Sequence, residues 1–268
     1  MLDNISLGRY FPGQSVIHRL DPRTKIISAI LAMVVIFMVR EVTPMILVGV
    51  STVILVILAK VPLRTVLSGL KPMLFILLFA FVLNLLTIRT GNKLLELGPL
   101  VISDEGLYTA LRMAARLTFL ILDTTLLLTL TTTPILVSDA LENLLGPLKK
   151  VNFPAHEMAM MMSIALRFVP TLLEETDKIM KAQSSRGADY DTGGLVSKAR
   201  GLVSVLIPLF VSAFKRAEDL AVAMEARCYR GGEGRTRLKV LKYTQLDLYF
   251  TIGMLLFGIM TVILEFVL

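Results

Sequence analysis

Between residues 24 and 131 four apolar stretches stand out, at about 24–39, 43–59, 66–88 and 107–131, and a fifth follows at 247–267. Runs of about 17–25 apolar residues match the ~30 Å hydrocarbon thickness of a bilayer. Lipid offers the backbone no hydrogen-bond partners, so such runs must close their own bonds as helices. The expectation is an all-α integral membrane protein of about five transmembrane helices. Composition agrees: 55% of the 268 residues are apolar and 18% charged, where a soluble domain carries about a quarter, and the mean hydropathy is +0.73. The first two stretches are short. Arg40-Glu41-Val42-Thr43-Pro44 divides them, with Thr43 expected as N-cap and Pro44 at the first helical position, giving a tight hairpin whose charged ends snorkel. Met1 to Lys25 is polar, dotted with aromatics and ends in Pro and charge, unlike a signal peptide.

Basic residues set the orientation. With the N-terminus inside, the short inner segments carry Arg9, Arg19, Arg23 and Lys25, then Lys60, Arg64 and Lys71, against Arg40, Arg89 and Lys93 outside. Seven against three favours N-terminus in and C-terminus out. Sixteen more Lys and Arg lie between 132 and 246, on the same side. The net charge of +7 is thus accounted for by membrane orientation, and nucleic acid is not an expected partner. Three domains follow: 1–131 with the N-terminal segment and spans one to four, a cytoplasmic insert at 132–246, and a last span at 247–268.

The insert reads as three helices. The first starts at Thr133-Pro134, carries Leu136, Ala140, Leu141, Leu144, Leu145 and Leu148 at helical spacing, and stops at Gly146-Pro147 and Lys149-Lys150. The second runs from about Pro154 to Arg186 with Pro170 inside, the third from about Leu195 to Cys228 with Pro208 inside; each proline is expected to kink or break its helix. Phe210, Phe214, Ala217, Ala221, Met224 and Cys228 form a seam suited to another helix, with Val169, Leu172 or Leu173, Thr176, Ile179 or Met180 and Gln183 as a looser counterpart. Two long crossing helices are expected, each with an internal proline and a basic end among small residues: a weak quasi-repeat.

Chemistry is sparse. No Gly-x-x-x-x-Gly-Lys-[Ser/Thr] loop occurs. His156-Glu157-Met158-Ala159-Met160 has Met where a zinc protease needs its second His, and Tyr190-Asp191 lies in a polar glycine-containing loop. Two histidines and one cysteine, Cys228, leave no internal disulfide and no Cys/His zinc cluster; no metal site and no cofactor are expected in the chain. Arg112, Arg116 and Asp123 stand on one face of the fourth span, where an ionisable group costs about 2.5–3.5 kcal/mol. They form either a polar surface for a partner or substrate path, or an interior stabilising network, which is favoured. The run Met158, Met160, Met161 and Met162 fits an adaptable docking surface as well as a core.

Ser15-Val16-Ile17-His18-Arg19-Leu20-Asp21-Pro22-Arg23-Thr24-Lys25 resembles the signature before the first span of the transmembrane T-component of energy-coupling factor (ECF) transporters, a class of ABC importers. Thr133-Pro134, then Ala165-Leu166-Arg167-Phe168-Val169-Pro170 with Glu174, then Arg186-Gly187, are similar to the same family in the same order, over nearly the whole chain. Read without the family, Asp21 caps a helix, Pro22 takes its first position, and Arg23 and Lys25 hold the inner interface. The resemblance implies a non-enzymatic scaffold in a prokaryotic plasma membrane. It would link two cytoplasmic ABC ATPases, which bind ATP and Mg, to a small membrane S-component that carries a vitamin or a transition metal. It also implies that Ser185-Arg186-Gly187 and Ala226-Arg227-Cys228 end the coupling helices in the family's arginine-centred motif, with Ser in place of Ala and Cys in place of Gly or Ser.

Arginine suits such a tip because its planar fork binds carboxylates bidentately and stays charged when desolvated. Small neighbours would let the tip enter a groove. The competing classes are a stand-alone secondary transporter, which would show internal symmetry between its spans, a conventional permease, and a membrane enzyme built around Arg112, Arg116 and Asp123.

Overall fold

The computed structural model describes residues 10–88, 90–97, 100–151, 153–187, 194–231 and 241–267. Arg9, Arg89, the Tyr190-Asp191 loop and Arg235, Arg237 and Lys239 lie outside the described residues. The chain divides into two compact units, Gly8–Ala140 with Val240–Leu268, and Leu141–Lys239. The first unit holds the apolar helices. Their order is α1 (Val16–Arg19), α2 (Pro22–Met38), α3 (Val42–Ala59), α4 (Leu63–Ser68), α5 (Leu74–Thr87) and α6 (Asp104–Thr124), with α10 (Gln245–Val267) returning at the end. The second unit holds the end of α7 (Pro134–Leu145), then α8 (Ala155–Ser185) and α9 (Leu195–Ala226). An all-α membrane protein is what forms, with one antiparallel hairpin added in the loop before α6: Lys93–Leu97 pairs with Leu100–Ser103.

Four helical segments are long and apolar enough to cross a bilayer: Val42–Ala59, Leu63–Thr87, Asp104–Leu130 and Gln245–Val267. The 17-residue α2 reaches only about 25 Å. Three boundaries differ from the sequence reading. Helix α3 starts two residues earlier than expected, with Glu41 and not Thr43 in the cap position and Met45 N donating to Glu41 O. Pro44 fits inside that first turn because the N–H it lacks has no intrahelical partner there. The stretch at 66–88 is not one regular helix: α4 ends at Ser68 and a tight turn at Lys71–Met73 precedes α5, since Pro72 cannot continue the bonding pattern. Helix α6 begins under the Ser103 cap, whose hydroxyl accepts from Gly106 N at 3.0 Å, and widens into a π-helical turn at Thr125–Leu130.

The core of this unit is built from Ile17, Leu20, Ala29, Leu55, Ala59, Val61, Val66, Leu126, Leu127 and Leu130, so α1, α2, α3 and the π-helical end of α6 meet in it. Helix α10 packs on α2 and α3, and a Cβ at Gly258 would stand 3.1 Å from Val35 Cγ2, so the close approach of α10 to α2 depends on that glycine. Opposite faces remain apolar and open: Phe75, Phe79, Ile46, Ile57, Leu256 and Phe266 are exposed, as lipid-facing residues should be.

In the second unit α8 and α9 pack together, and both run unbroken through Pro170 and Pro208. Each proline deletes one helical bond, and the remainder of a helix more than 30 residues long carries it. The contact face differs from the expected seam. Phe214 of that seam is 72% exposed and Phe210 also faces out, stacked on Phe214. Ala217 of α9 and Leu172 of α8 keep their expected places on the shared face, which is otherwise lined by Ala213, Arg216 and Leu220 of α9 and Ile164 and Phe168 of α8. Helix α9 is apolar on more than one side, so periodicity alone could not choose the side that pairs.

Candidate functional site

Both long helices end in the same way. Arg186 is the C-cap residue of α8, with φ −92° and ψ 7°, and Arg227 the C-cap of α9, with φ −92° and ψ 12°. The residue after each enters the left-handed region: Gly187 at φ 88° and Cys228 at φ 56°. At α9 the bonds Cys228 N to Glu225 O, 2.8 Å, and Tyr229 N to Met224 O, 3.0 Å, make a Schellman motif. At α8 Gly187 N donates to Ser184 O at 3.0 Å, the matching bond. A Cβ on Gly187 would meet nothing within 4 Å, so its smallness answers to backbone conformation rather than space. Cys228 takes the same conformation against the side-chain penalty. Sequence reasoning had treated these flanks only as slim neighbours; the rule that helices finish on a left-handed Gly was the signal available.

The arginines themselves are exposed, and neither side chain has a hydrogen-bond or ion-pair partner among the described residues. A free guanidinium at the end of a rigid helix is a charge presented to something else. Ser185, by contrast, is committed inward, its hydroxyl donating to Lys181 O at 3.0 Å. Ala226 closes the helical part of α9 just before Arg227. On α8, Met158, Met161 and Met162 are also exposed.

The signature before the first span becomes a polar knot in the other unit. Asp21 caps α2 by accepting from Arg23 N at 2.9 Å and pairs with the Arg23 guanidinium, also at 2.9 Å, while Pro22 takes the first position as expected. Arg23 also lies over the Tyr243 ring, 4.0 Å from its centroid. Lys25 departs from expectation. It does not reach to an interface but is 1% exposed, its Nζ donating to Thr131 O at 2.8 Å and Thr132 Oγ1 at 3.2 Å. The π-helical turn of α6 leaves carbonyl capacity at its end, and a buried ammonium with several acceptors can satisfy it.

Asp247 completes the knot and was missed. Its Oδ1 accepts from Asp21 N at 2.7 Å, and its Oδ2 from Thr244 N at 2.7 Å and Thr244 Oγ1 at 2.6 Å. Thr244-x-x-Asp247 before an apolar run is a capping box, visible in the sequence.

Arg112, Arg116 and Asp123 do not act together. Arg112 Nη1 donates to Arg40 O at 2.7 Å and Arg116 Nη2 to Val39 O, so both arginines serve the carbonyls beyond the end of α2. Asp123 is buried deeper, beside Thr52, with Oδ1 unpartnered among the described residues. His156, set aside as a metal ligand, meets Glu142 through Nδ1 at 2.9 Å.

A family profile described as cobalt transport protein, CbiQ, matches residues 13–238, which takes in Asp21 to Lys25, the π-helical turn and both arginine tips. The chain belongs to the CbiQ family. Its curated relatives point the same way. It is 51% identical over 267 residues to the energy-coupling factor transporter transmembrane protein EcfT of Ruminiclostridium cellulolyticum, covering 100% of this chain and 99% of that one. It is 52% identical over 256 residues to the EcfT of Thermosediminibacter oceani, 95% of this chain and 96% of the relative. With the EcfT of Bacillus subtilis it shares 49% over 247 residues, 92% and 93% of the two chains. Membership of CbiQ, together with the four apolar helices, makes this a membrane protein of the transporter class.

Proposed function

We propose that this chain is the transmembrane coupling subunit of an ECF-type ABC importer. In this reading it converts ATP-driven motion of two cytoplasmic ATPases into movement of a membrane S-component carrying a vitamin or a transition metal. The observation that carries the reading is the matched pair of helix ends: Arg186 and Arg227 occupy one conformation, each followed by a left-handed residue, each exposed and without a side-chain partner among the described residues. Two like tips on one chain suit two like partners. ATP and Mg belong to those ATPases, and this chain is not an enzyme. The relatives' printed name, an ECF transporter transmembrane protein, supports the same assignment.

The mechanism is mechanical. Each tip arginine sits in a carboxylate-lined groove of one ATPase, where a bidentate pair fixes both position and direction. Closure of the ATPases on ATP moves the two grooves, and stiff helices more than 30 residues long carry the displacement toward the membrane. The N-terminus and α7 to α9 are cytoplasmic, with the C-terminus outside.

The test is Arg186→Ala with Arg227→Ala in the complex expressed with its ATPases. Removing one buried interfacial charge costs about 2–5 kcal/mol, so ATPase recovered with the double variant should fall more than about tenfold. Lys at either position should restore little, because it lacks the fork. Wild-type ATPase recovery in the double Ala variant would overturn the proposal.

A further inference from the structure

Among the described residues, one ion pair bridges α8 and α9, in a singular place. Arg216 donates to Glu175 across the helices, and Glu175 also takes a hydrogen bond from Ser212. Glu175 lies eleven residues before Arg186, and Arg216 eleven residues before Arg227. At 1.5 Å per residue, both tips therefore stand about 16 Å from the pair. The helices are not parallel. Nine residue steps from Arg186 to Leu195 reach at most about 32 Å, whereas parallel helices joined at this pair would set those residues about 48 Å apart. The arms diverge from the pair, and they are equal.

The surroundings of the pair are loosely filled. Beside it lies a cavity of about 180 Å³ walled by Ile164, Phe168, Leu172, Ala213, Ala217 and Leu220. Two of the α9 residues on this wall, Ala213 and Ala217, are small, so at those positions few side-chain atoms oppose a change of crossing angle. The Arg216 Nε is buried without a hydrogen-bond partner among the described residues. Donor capacity thus remains in the cavity as the helices turn. A partly exposed ion pair contributes little to stability, yet it fixes direction.

We propose that Glu175 and Arg216 are positioning residues forming the pivot of the coupling unit: α8 and α9 turn about this pair, so that equal arms give the two ATPases equal leverage. The proposal rests on the coupling reading above. It assigns to the pair the transmission of motion, and leaves the holding of ATPases to Arg186 and Arg227. A rotation of about 15°, a size typical of rigid-body switching, moves the end of a ~16 Å arm by about 4 Å.

The experiment uses the complete complex with its ATPases in nanodiscs. Spin labels go at Ala182→Cys and Ala223→Cys, four residues before each tip, in a Cys228→Ser background, and the inter-label distance is read by double electron–electron resonance with and without ATP plus vanadate. The expected result is a shift of several ångströms on ATP. Glu175→Gln or Arg216→Gln should abolish it while retaining the ATPases, and the charge-swapped pair Glu175→Arg with Arg216→Glu should restore it. Three results overturn the pivot: no ATP-dependent shift in the parent, an undiminished shift in the Gln variants, or a swapped pair no better than either single variant. ATPases lost from a Gln variant would also overturn it, because the pair would then be part of the docking surface. The double Ala variant at Arg186 and Arg227 keeps the two readings separate: retained ATPases there strike at the coupling function, whereas lost ATPases there combined with an unaffected Gln shift strike at the pivot alone.

Discussion

The knot around Lys25 and the crossing around Glu175 are both made of paired charges, and they are built in opposite ways. At the knot, Asp21, Lys25 and Asp247 are buried and share backbone N–H groups, carbonyls and hydroxyls from α2, α10 and the end of α6. At the crossing, a partly exposed pair sits beside unfilled space, and the arginines at the helix ends have no side-chain partner among the described residues. Buried polar groups are costly unless fully satisfied, so a satisfied network fixes one geometry. Exposed or loosely packed charges cost little to rearrange. The membrane unit thus uses its polar residues to hold itself, and the second unit keeps its own available.

Breaking the knot should have the largest effect. Asp247→Ala leaves the Asp21 and Thr244 N–H groups without their acceptor and strips the charge facing the Arg23 and Lys25 end of α2. A loss of about 3–5 kcal/mol is expected, seen as a large drop in thermal midpoint and yield in detergent; a midpoint within a degree of the parent would refute the comparison. Next in size is Gly187→Ala, which forces a side chain into the left-handed region at about 1–2 kcal/mol. Since that region of the molecule is open, the cost should appear as fraying of the α8 end by hydrogen exchange, with the global midpoint almost unmoved. Cys228→Gly should act the other way, tightening the α9 end by up to about 1 kcal/mol while leaving Arg227 in place.

The smallest effect is on pH. Hydrogen bonds from Arg216 first and Ser212 second hold the Glu175 carboxyl below its ordinary value of 4.5. Its contribution to the crossing is therefore fully present above about that value and disappears as pH falls through the lower folded value. The Ala182–Ala223 label distance should broaden only at acidic pH, and Arg216→Gln should remove that dependence. Broadening that begins near neutrality would point to another group.

Several of these residues could be read in advance. Asp21-Pro22 is a cap followed by proline and forms as one; Thr133 and Pro134 start α7, with Val137 N donating to Thr133 O. The arginines at 186 and 227 sit at helix ends as their small flanks suggested. Lys25 was misread because a lysine before an apolar run looks like an interface anchor, and only the returning chain supplies Thr131 and Thr132 as acceptors. The seam through Phe210 and Phe214 was misread because a helix apolar on several sides has no preferred partner until that partner is placed.

What the sequence determined by itself is local or solvent-imposed: helices where lipid forbids anything else, caps and stops where Asp, Thr, Pro and Gly stand, and tips where the chain ends a helix on arginine. What tertiary structure alone decided is pairing over long separations: Lys25 with residues 106 and 107 positions on, Asp21 with Asp247 across 226, and Glu175 with Arg216 across 41. Periodicity records which faces are apolar but not which face meets which. The division between a locked membrane unit and a loosely pinned second unit therefore emerges only once the helices are packed.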